Sequence, residues 1–159
     1  MEWDKRFMDD RKGNLLQAVI RNFRIGDYDD LLALWESAGL PYRPKGRDAR
    51  AELERQSKET TAVYLVAEVD GRLAGAVLGT HDGRKGWVNR LAVSPSYRRR
   101  GLAGELLAEV ERRLAALGIN ISVCLVEDWN VDSKAFFEKS GYRAFSDITY
   151  YTKRGHEDV

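Results

Sequence analysis

The stretch from Trp87 to Leu117 constrains the fold more than any other. A short apolar run, Trp87-Val88-Asn89-Arg90-Leu91-Ala92-Val93, halts at Ser94-Pro95, passes through Tyr97-Arg98-Arg99-Arg100-Gly101-Leu102-Ala103-Gly104, and enters a long amphipathic segment. Leu102, Leu106, Val110, Leu114 and Leu117 fall on one stripe at helical spacing, with Glu105, Glu109, Arg112 and Arg113 outside it and Gly118 as the stop. The stretch reads as strand, glycine-bearing basic turn, helix. The first turn of a helix leaves N–H groups without partners and carries partial positive charge, so this turn suits an anion such as a phosphate. Gly101 and Gly104 allow close approach to the main chain, and the arginines add charge-assisted bonds. A solvated basic turn is the plain alternative.

The flanking chain supplies the rest of a sheet. Residues 1–14 are mostly charged and read as an N-terminal extension, ordered only where it docks; residues 15–159 read as a single domain. A first strand is expected over Ala18–Arg24, then a helix capped by Asp27 with Tyr28, Leu31, Leu32, Trp35 and Ala38 at helical spacing and Gly39 as its stop. Pro41, Pro44 and Gly46 mark a loop, and a more polar helix should cover Asp48 to Lys58. Ala62–Val69, Asp70-Gly71 and Arg72–Gly79 form the clearest hairpin, because Asp-Gly readily takes left-handed turn angles. Ile121–Val126 reads as a buried strand parallel to Trp87–Val93, since a crossover helix joins them. Asp132 or Ser133 should start a further helix that Gly141 stops, and a last strand is expected over about Ala144 to Lys153.

Composition narrows the partners. Of 159 residues 43% are hydrophobic and 32% charged, as in a globular chain, and the net charge of +1 disfavours nucleic acid despite the arginine cluster. Cys124 is the single cysteine, which excludes an internal disulfide and fits a reducing compartment. No membrane-span-length apolar stretch or signal-peptide block is present in the sequence, so a cytoplasmic location without membrane contact is expected. No His, Cys or carboxylate spacing suggests a metal site.

The run Leu91-Ala92-Val93-Ser94-Pro95-Ser96-Tyr97-Arg98-Arg99-Arg100-Gly101-Leu102-Ala103, with Asn130, Phe136-Phe137-Glu138-Lys139 and Ser140-Gly141-Tyr142 downstream, resembles the GNAT superfamily of acyl-CoA-dependent N-acyltransferases. The pattern looks closest to the small bacterial YpeA-like branch. The resemblance spans about Ala18 to Lys153 and implies an α/β (α+β) fold. It is a mixed, mostly antiparallel sheet of about six strands flanked by helices, with a V-shaped split between the fourth and fifth strands, Trp87–Val93 and Ile121–Val126. It further implies acetyl-CoA as acyl donor and a primary amine, on a small molecule or a protein, as acceptor. Leu91, Ala92 and Val93 would bind the pantetheine arm through their backbone, with a Leu91–Val93 main-chain N–H, taken as that of Leu91, polarising the thioester carbonyl. Arg98, Arg99, Arg100, Gly101, Leu102, Ala103 and Gly104 would hold the pyrophosphate. Asn130 would bond the lower part of the cofactor, with Phe136 and Phe137 beside the thiol end. Many relatives dimerise, so a homodimer is allowed.

The sequence departs from the family's pattern where acid and base are concerned. Phe137 stands where relatives often carry a tyrosine that protonates the departing thiolate, leaving water or Tyr142 to do so. Leu125 and Asn89 stand where relatives can carry a glutamate. Glu127 shares the strand parity of Leu125 and is the first candidate base, Asp128 the next, against the plain reading of two solvated carboxylates. His81 reads as a turn bystander and Cys124 as a small buried hydrophobe. Trp35, Trp87 and Trp129 could each touch substrate or simply pack. The alternative function is a non-catalytic acyl-CoA-binding module that senses the cofactor.

Overall fold

The computed structural model describes residues 5–8 and 15–159. Its six strands lie in one sheet in chain order: β1 (Lys5–Met8), β2 (Leu15–Asn22), β3 (Ala62–Val69), β4 (Arg72–His81), β5 (Gly86–Val93) and β6 (Ser122–Val123). The first five pair antiparallel and β5–β6 is parallel, the mixed, mostly antiparallel sheet that the sequence suggested. Part of the expected extension thus docks as β1 on β2, and its other residues lie outside the described ones.

Helices cover both faces. On one face lie α1 (Tyr28–Ser37) and α2 (Arg50–Ser57), whose Leu31, Leu34, Trp35 and Leu53 form a core with Val66, Ala76, Leu78 and Ala92. On the other lies α3 (Leu102–Ala116), with Leu102, Leu106, Leu107, Val110 and Leu114 buried. Glycines in the sheet set how close α3 can come. A Cβ on Gly75 would meet Leu106 Cδ1 at 2.8 Å, on Gly79 it would meet Val110 Cγ2 at 2.5 Å, and on Gly86 it would meet Leu114 Cδ1 at 2.6 Å. The leucine–valine stripe seats in a row of side-chain-free positions, so larger residues there would lift the helix off the sheet.

Local signals mostly act where the sequence put them. Asp70 (φ 50°) and Gly71 (φ 73°) are both left-handed, as a two-residue hairpin turn requires. Asp27 differs from expectation. Its carboxylate accepts the Arg24 N–H at 2.8 Å within a short 3-10 turn and pairs with Arg21 at 2.8 Å, rather than capping α1.

Two expectations fail at the C-terminal side. The strand expected over Ile121–Val126 pairs only at Ser122 and Val123, because it separates from β5 there. The strand expected over Ala144–Lys153 is absent; Phe145, Ile148, Tyr150 and Tyr151 are 63%, 71%, 67% and 87% exposed. A β-pattern makes a strand only where a neighbour takes its N–H and C=O groups, and these exposed residues pair with none of β1 to β6. The final helix, α4 (Val131–Lys139), starts earlier than Asp132 or Ser133, because Asn130 caps it. No helix among the described residues is long and apolar enough to cross a membrane.

Candidate active site

The parallel pair β5–β6 holds together for two residues. Gly86 stands opposite Ser122, Trp87 opposite Val123, and the Gly86 N–H donates to Ile121 O at 2.8 Å. From Val88 onward the two strands part, leaving the edge of β5 that faces away from β4 without a strand partner up to Val93 among the described residues. This is the V-shaped split expected between the fourth and fifth strands of the reading above. An open strand edge presents main-chain donors and acceptors to any ligand that carries amides.

The other edge of β5 is irregular at the same level. Pairing with β4 passes from Ala76↔Ala92 to Leu78↔Asn89, so Arg90 and Leu91 together stand against Val77 alone. Such a bulge bends the strand and re-aims the main chain. Arg90 is left-handed, at φ 52°, inside a strand rather than in a turn. For a side chain of that size the conformation costs about 1–2 kcal/mol. The flanking side chains split between the faces. Leu91 and Val93 pack toward α3 and Ala92 toward α1, so Ala92 offers the split only its backbone.

The Arg90 side chain belongs to a cluster that sequence reasoning missed. Its guanidinium lies 4.4 Å from the Trp35 ring centroid, donates to Pro41 O at 2.9 Å and pairs with Asp48 Oδ2 at 2.9 Å. Asp48, with its side chain 5% exposed, also accepts the Arg43 N–H at 2.7 Å, and its carbonyl accepts from the Tyr28 hydroxyl at 2.8 Å. Burial pushes the Arg90 guanidinium below its ordinary pKa, and Asp48 pulls the other way. No local signal could have found this pair, because 42 residues separate its members. Trp35, a candidate substrate contact in the sequence, is fully buried and packs in the core.

At the end of β5 the chain turns through Pro95–Tyr97 into α3. Gly101, at φ 81°, immediately precedes the helix, and Arg99 is left-handed at φ 58°. The first intrahelical acceptor is Gly101 O, which takes the Glu105 N–H at 3.1 Å, so the N–H groups of Leu102, Ala103 and Gly104 point out of the helix start. A Cβ on Gly104 would meet nothing within 4 Å, so the room beside it lies outside the protein. Arg98, Arg99 and Arg100 are exposed around this turn; Arg98 Nε donates to Val93 O at 3.3 Å, and Arg100 lies 5.9 Å from the Tyr97 ring centroid. Outward N–H groups, clear space and exposed cations are what a diphosphate needs, and the residues present fit it.

The remaining candidates divide. Phe136 and Phe137 are half-buried and pack on the same core cluster as Leu91 and Val93; their rings meet edge-on at 5.2 Å, and Phe137 meets Tyr142 at 5.1 Å. Asn130 Oδ1 accepts the Ser133 N–H at 3.1 Å as the cap of α4, leaving its amide N–H groups as the ones that could reach a ligand. The Tyr142 hydroxyl donates to Glu111 on α3 at 2.7 Å, and burial with that carboxylate raises its pKa well above the ordinary phenol value, which makes it a poor proton donor to the split. Burial pushes the Cys124 thiol up to about 11, so it is not poised as a nucleophile.

Glu127 does not sit where strand parity was to put it. β6 ends at Val123, and Glu127 lies exposed in the segment before α4, where its carbonyl accepts the Asn130 N–H at 2.9 Å. Asp128 is exposed and paired with Lys134, which lowers its pKa. His81 takes the Gly83 N–H at 3.2 Å within its own turn. Trp129, at the start of this region, is 76% exposed.

An α/β sheet splayed between two parallel strands thus sets an open strand edge beside a basic helix start whose N–H groups suit an anion. The chain belongs to the Acetyltransferase (GNAT) family, whose model matches residues 28–142. Solved structures agree on the fold. The PaiA N-acetyltransferase from Thermoplasma acidophilum, in complex with coenzyme A, is 19% identical with a TM-score of 0.73, covering 82% of this chain and 92% of that one. The aminoglycoside N-acetyltransferase AAC(6')-Iy, in complex with CoA, is 19% identical with a TM-score of 0.72, covering 87% and 96%. The aminoglycoside 6'-N-acetyltransferase AAC(6')-Ih from Acinetobacter baumannii is 18% identical with a TM-score of 0.72, covering 86% and 98%.

Proposed function

We propose that the chain is an acetyl-CoA-dependent N-acetyltransferase in which a neutral primary amine attacks the thioester directly, with both substrates bound together. The observation that carries this reading is the parting of β5 from β6 after Trp87, next to the Gly101–Gly104 helix start. The diphosphate would meet the N–H groups and arginines of Arg98 to Gly104, and the amide-bearing arm would lie along Leu91 to Val93. A Leu91 N–H aimed at the thioester oxygen stabilises the charge that develops there on attack, more than it stabilises the ground state. Holding amine and thioester in contact supplies much of the remaining rate.

Proton transfers have weaker support from side chains. Phe137 cannot protonate the thiolate, and a thiol of pKa about 8.5 leaves tolerably with water as the acid. Glu127, acting through water, is the proposed base, and its exposure is compatible with that indirect role. The engagement of Tyr142 with Glu111 favours one second reading, an acyl-CoA-binding module without turnover. Residues 91–103 support a place in the YpeA-like branch, the single cysteine supports a cytoplasmic location, and the exposed apolar residues of 145–151 support a homodimer.

The acceptor panel should include small amines, amino acids, peptides and aminoglycosides, since aminoglycoside N-acetyltransferases share the fold. Acetyl-CoA and CoA are expected to raise the melting temperature, and at least one amine should release free thiol. Stabilisation by CoA with no thiol release from any amine would favour the binding module. No stabilisation by either would refute both.

A further inference from the structure

We propose that Arg90 is a positioning residue: its side chain, clamped between Trp35, Pro41 and Asp48, holds the β5 bulge and thereby the orientation of the Leu91 N–H. This rests on the acyltransfer reading for the role of that N–H, but not for the clamp itself.

Among the described residues three other than glycine are left-handed: Asp70, Arg90 and Arg99. Asp70 occupies a hairpin turn and Arg99 the turn before α3, where such angles are ordinary. Arg90 occupies the first position of the β5 bulge, where left-handed angles suit a glycine and strain an arginine. Something must hold it there, and its side chain is held on every side that counts. The guanidinium lies over a ring that is itself fully buried, and two of its N–H groups are bonded to different points of the 40–49 loop. The Asp48 carboxylate that receives one of them is locked in turn by the Arg43 N–H.

The arrangement needs an arginine. A lysine ammonium has no planar face for Trp35 and no fork to span a carbonyl and a carboxylate at once. It also ties the 40–49 loop to the bulge of β5. The loop between α1 and α2 cannot shift without pulling on Arg90, and Arg90 is the residue whose peptide unit carries the Leu91 N–H. Disturbing the loop should therefore be felt as a misaimed donor at the reacting carbonyl, a fault of kcat rather than of acetyl-CoA binding.

The test uses the full chain with Arg90→Ala, Arg90→Gly and Asp48→Asn. Arg90→Ala should lower kcat by about tenfold to a hundredfold while the KM for acetyl-CoA changes by less than about threefold, the size expected for a misplaced oxyanion donor. Arg90→Gly should regain most of that loss, because glycine takes the left-handed angles without help. In the chain without ligand, the Leu91 amide resonance should be single and sharp in the native protein and in Arg90→Gly, and broadened in Arg90→Ala. Asp48→Asn, close to isosteric, should broaden Leu91 together with residues of the 41–48 loop, and it decides the matter if Arg90→Ala does not fold. Equal kcat for Arg90→Ala and native protein, equal impairment of the alanine and glycine variants, or a sharp Leu91 resonance in Asp48→Asn would each overturn the proposal. Should no amine support turnover, the acyltransfer reading falls while the resonances still decide whether the clamp holds the bulge.

Discussion

β5 leads into α3, and β6 leads into α4, yet the two strand–helix units on either side of the split differ sharply in burial. α3 buries Leu102, Leu106, Leu107, Val110 and Leu114 against the sheet, and β5 buries Gly86, Val88 and Ala92. α4 has no buried residue, and β6 is two half-buried residues long. What holds the second unit is a short set of contacts: the Asn130 cap, the edge-on rings of Phe136, Phe137 and Tyr142, and the bond from Tyr142 to Glu111. The difference has a cause in the chain. α3 repeats large aliphatic residues every four positions and seats them over Gly75, Gly79 and Gly86, whereas α4 offers two adjacent aromatics that project to a single side of a nine-residue helix. The wall proposed to grip the diphosphate is therefore set by fully buried residues, and the opposite wall rests on half-buried rings at the edge of the same core, with less apolar area behind it.

Truncating each wall is the strongest way to break that comparison. Leu106→Ala should cost about 2–5 kcal/mol, since it empties a fully buried site that cannot easily collapse. Phe136→Ala, from a half-buried ring, should cost no more than about 2 kcal/mol. Urea unfolding of both variants checks this, and equal losses would remove the distinction between the walls. Gly101→Val comes next. Forcing a β-branched residue to φ 81° should cost about 1–2 kcal/mol and crowd the helix start, abolishing the thermal stabilisation by CoA while the far-ultraviolet spectrum is kept. Undiminished stabilisation would mean that the ligand does not approach the main chain at this turn.

The smallest effect concerns the solvent side of α3. Arg112 and Arg113 both donate to Glu109, at 2.8 and 2.7 Å, and hold its carboxyl down to about 2 from an ordinary 4.5. A group whose pKa is depressed by folding stabilises fully above its unfolded value and loses that contribution as pH falls through its folded one. The native protein should thus lose a shallow increment of stability between about pH 4.5 and pH 2, and Glu109→Gln should flatten that limb while leaving α4 untouched. Melting temperatures across the acid range measure it. A limb of unchanged slope in the variant would assign the acid sensitivity elsewhere.

Much of the local structure was readable from residues alone. The stripe from Leu102 to Leu114, without its expected last member Leu117, which lies past the end of α3 and is exposed, the glycine stops at Gly39, Gly118 and Gly141, and the Asp70-Gly71 turn each act within a few residues of themselves, so propensity and period suffice. The resemblance to the family pattern added the split. The chain beyond β6 was not readable in the same way. Glu127 lost its assigned place because parity along a strand has meaning only while the strand lasts, and β6 stops at Val123. The segment Ala144–Lys153 carries strand-favouring residues such as Ile148, Thr149, Tyr150 and Tyr151 without a strand's neighbour.

Short-range chemistry in the chain therefore determined the helices, the turns, the basic helix start and the sheet that presents it. Tertiary structure alone decided where β6 leaves β5, which face each residue of the Leu91–Val93 run serves, and that Asp48 meets Arg90 across 42 residues. The physical reason is that a cap, a turn or a helical stripe is satisfied by groups close in sequence, whereas a strand's end and a buried charge are each settled by whatever distant partner the packed chain brings to it.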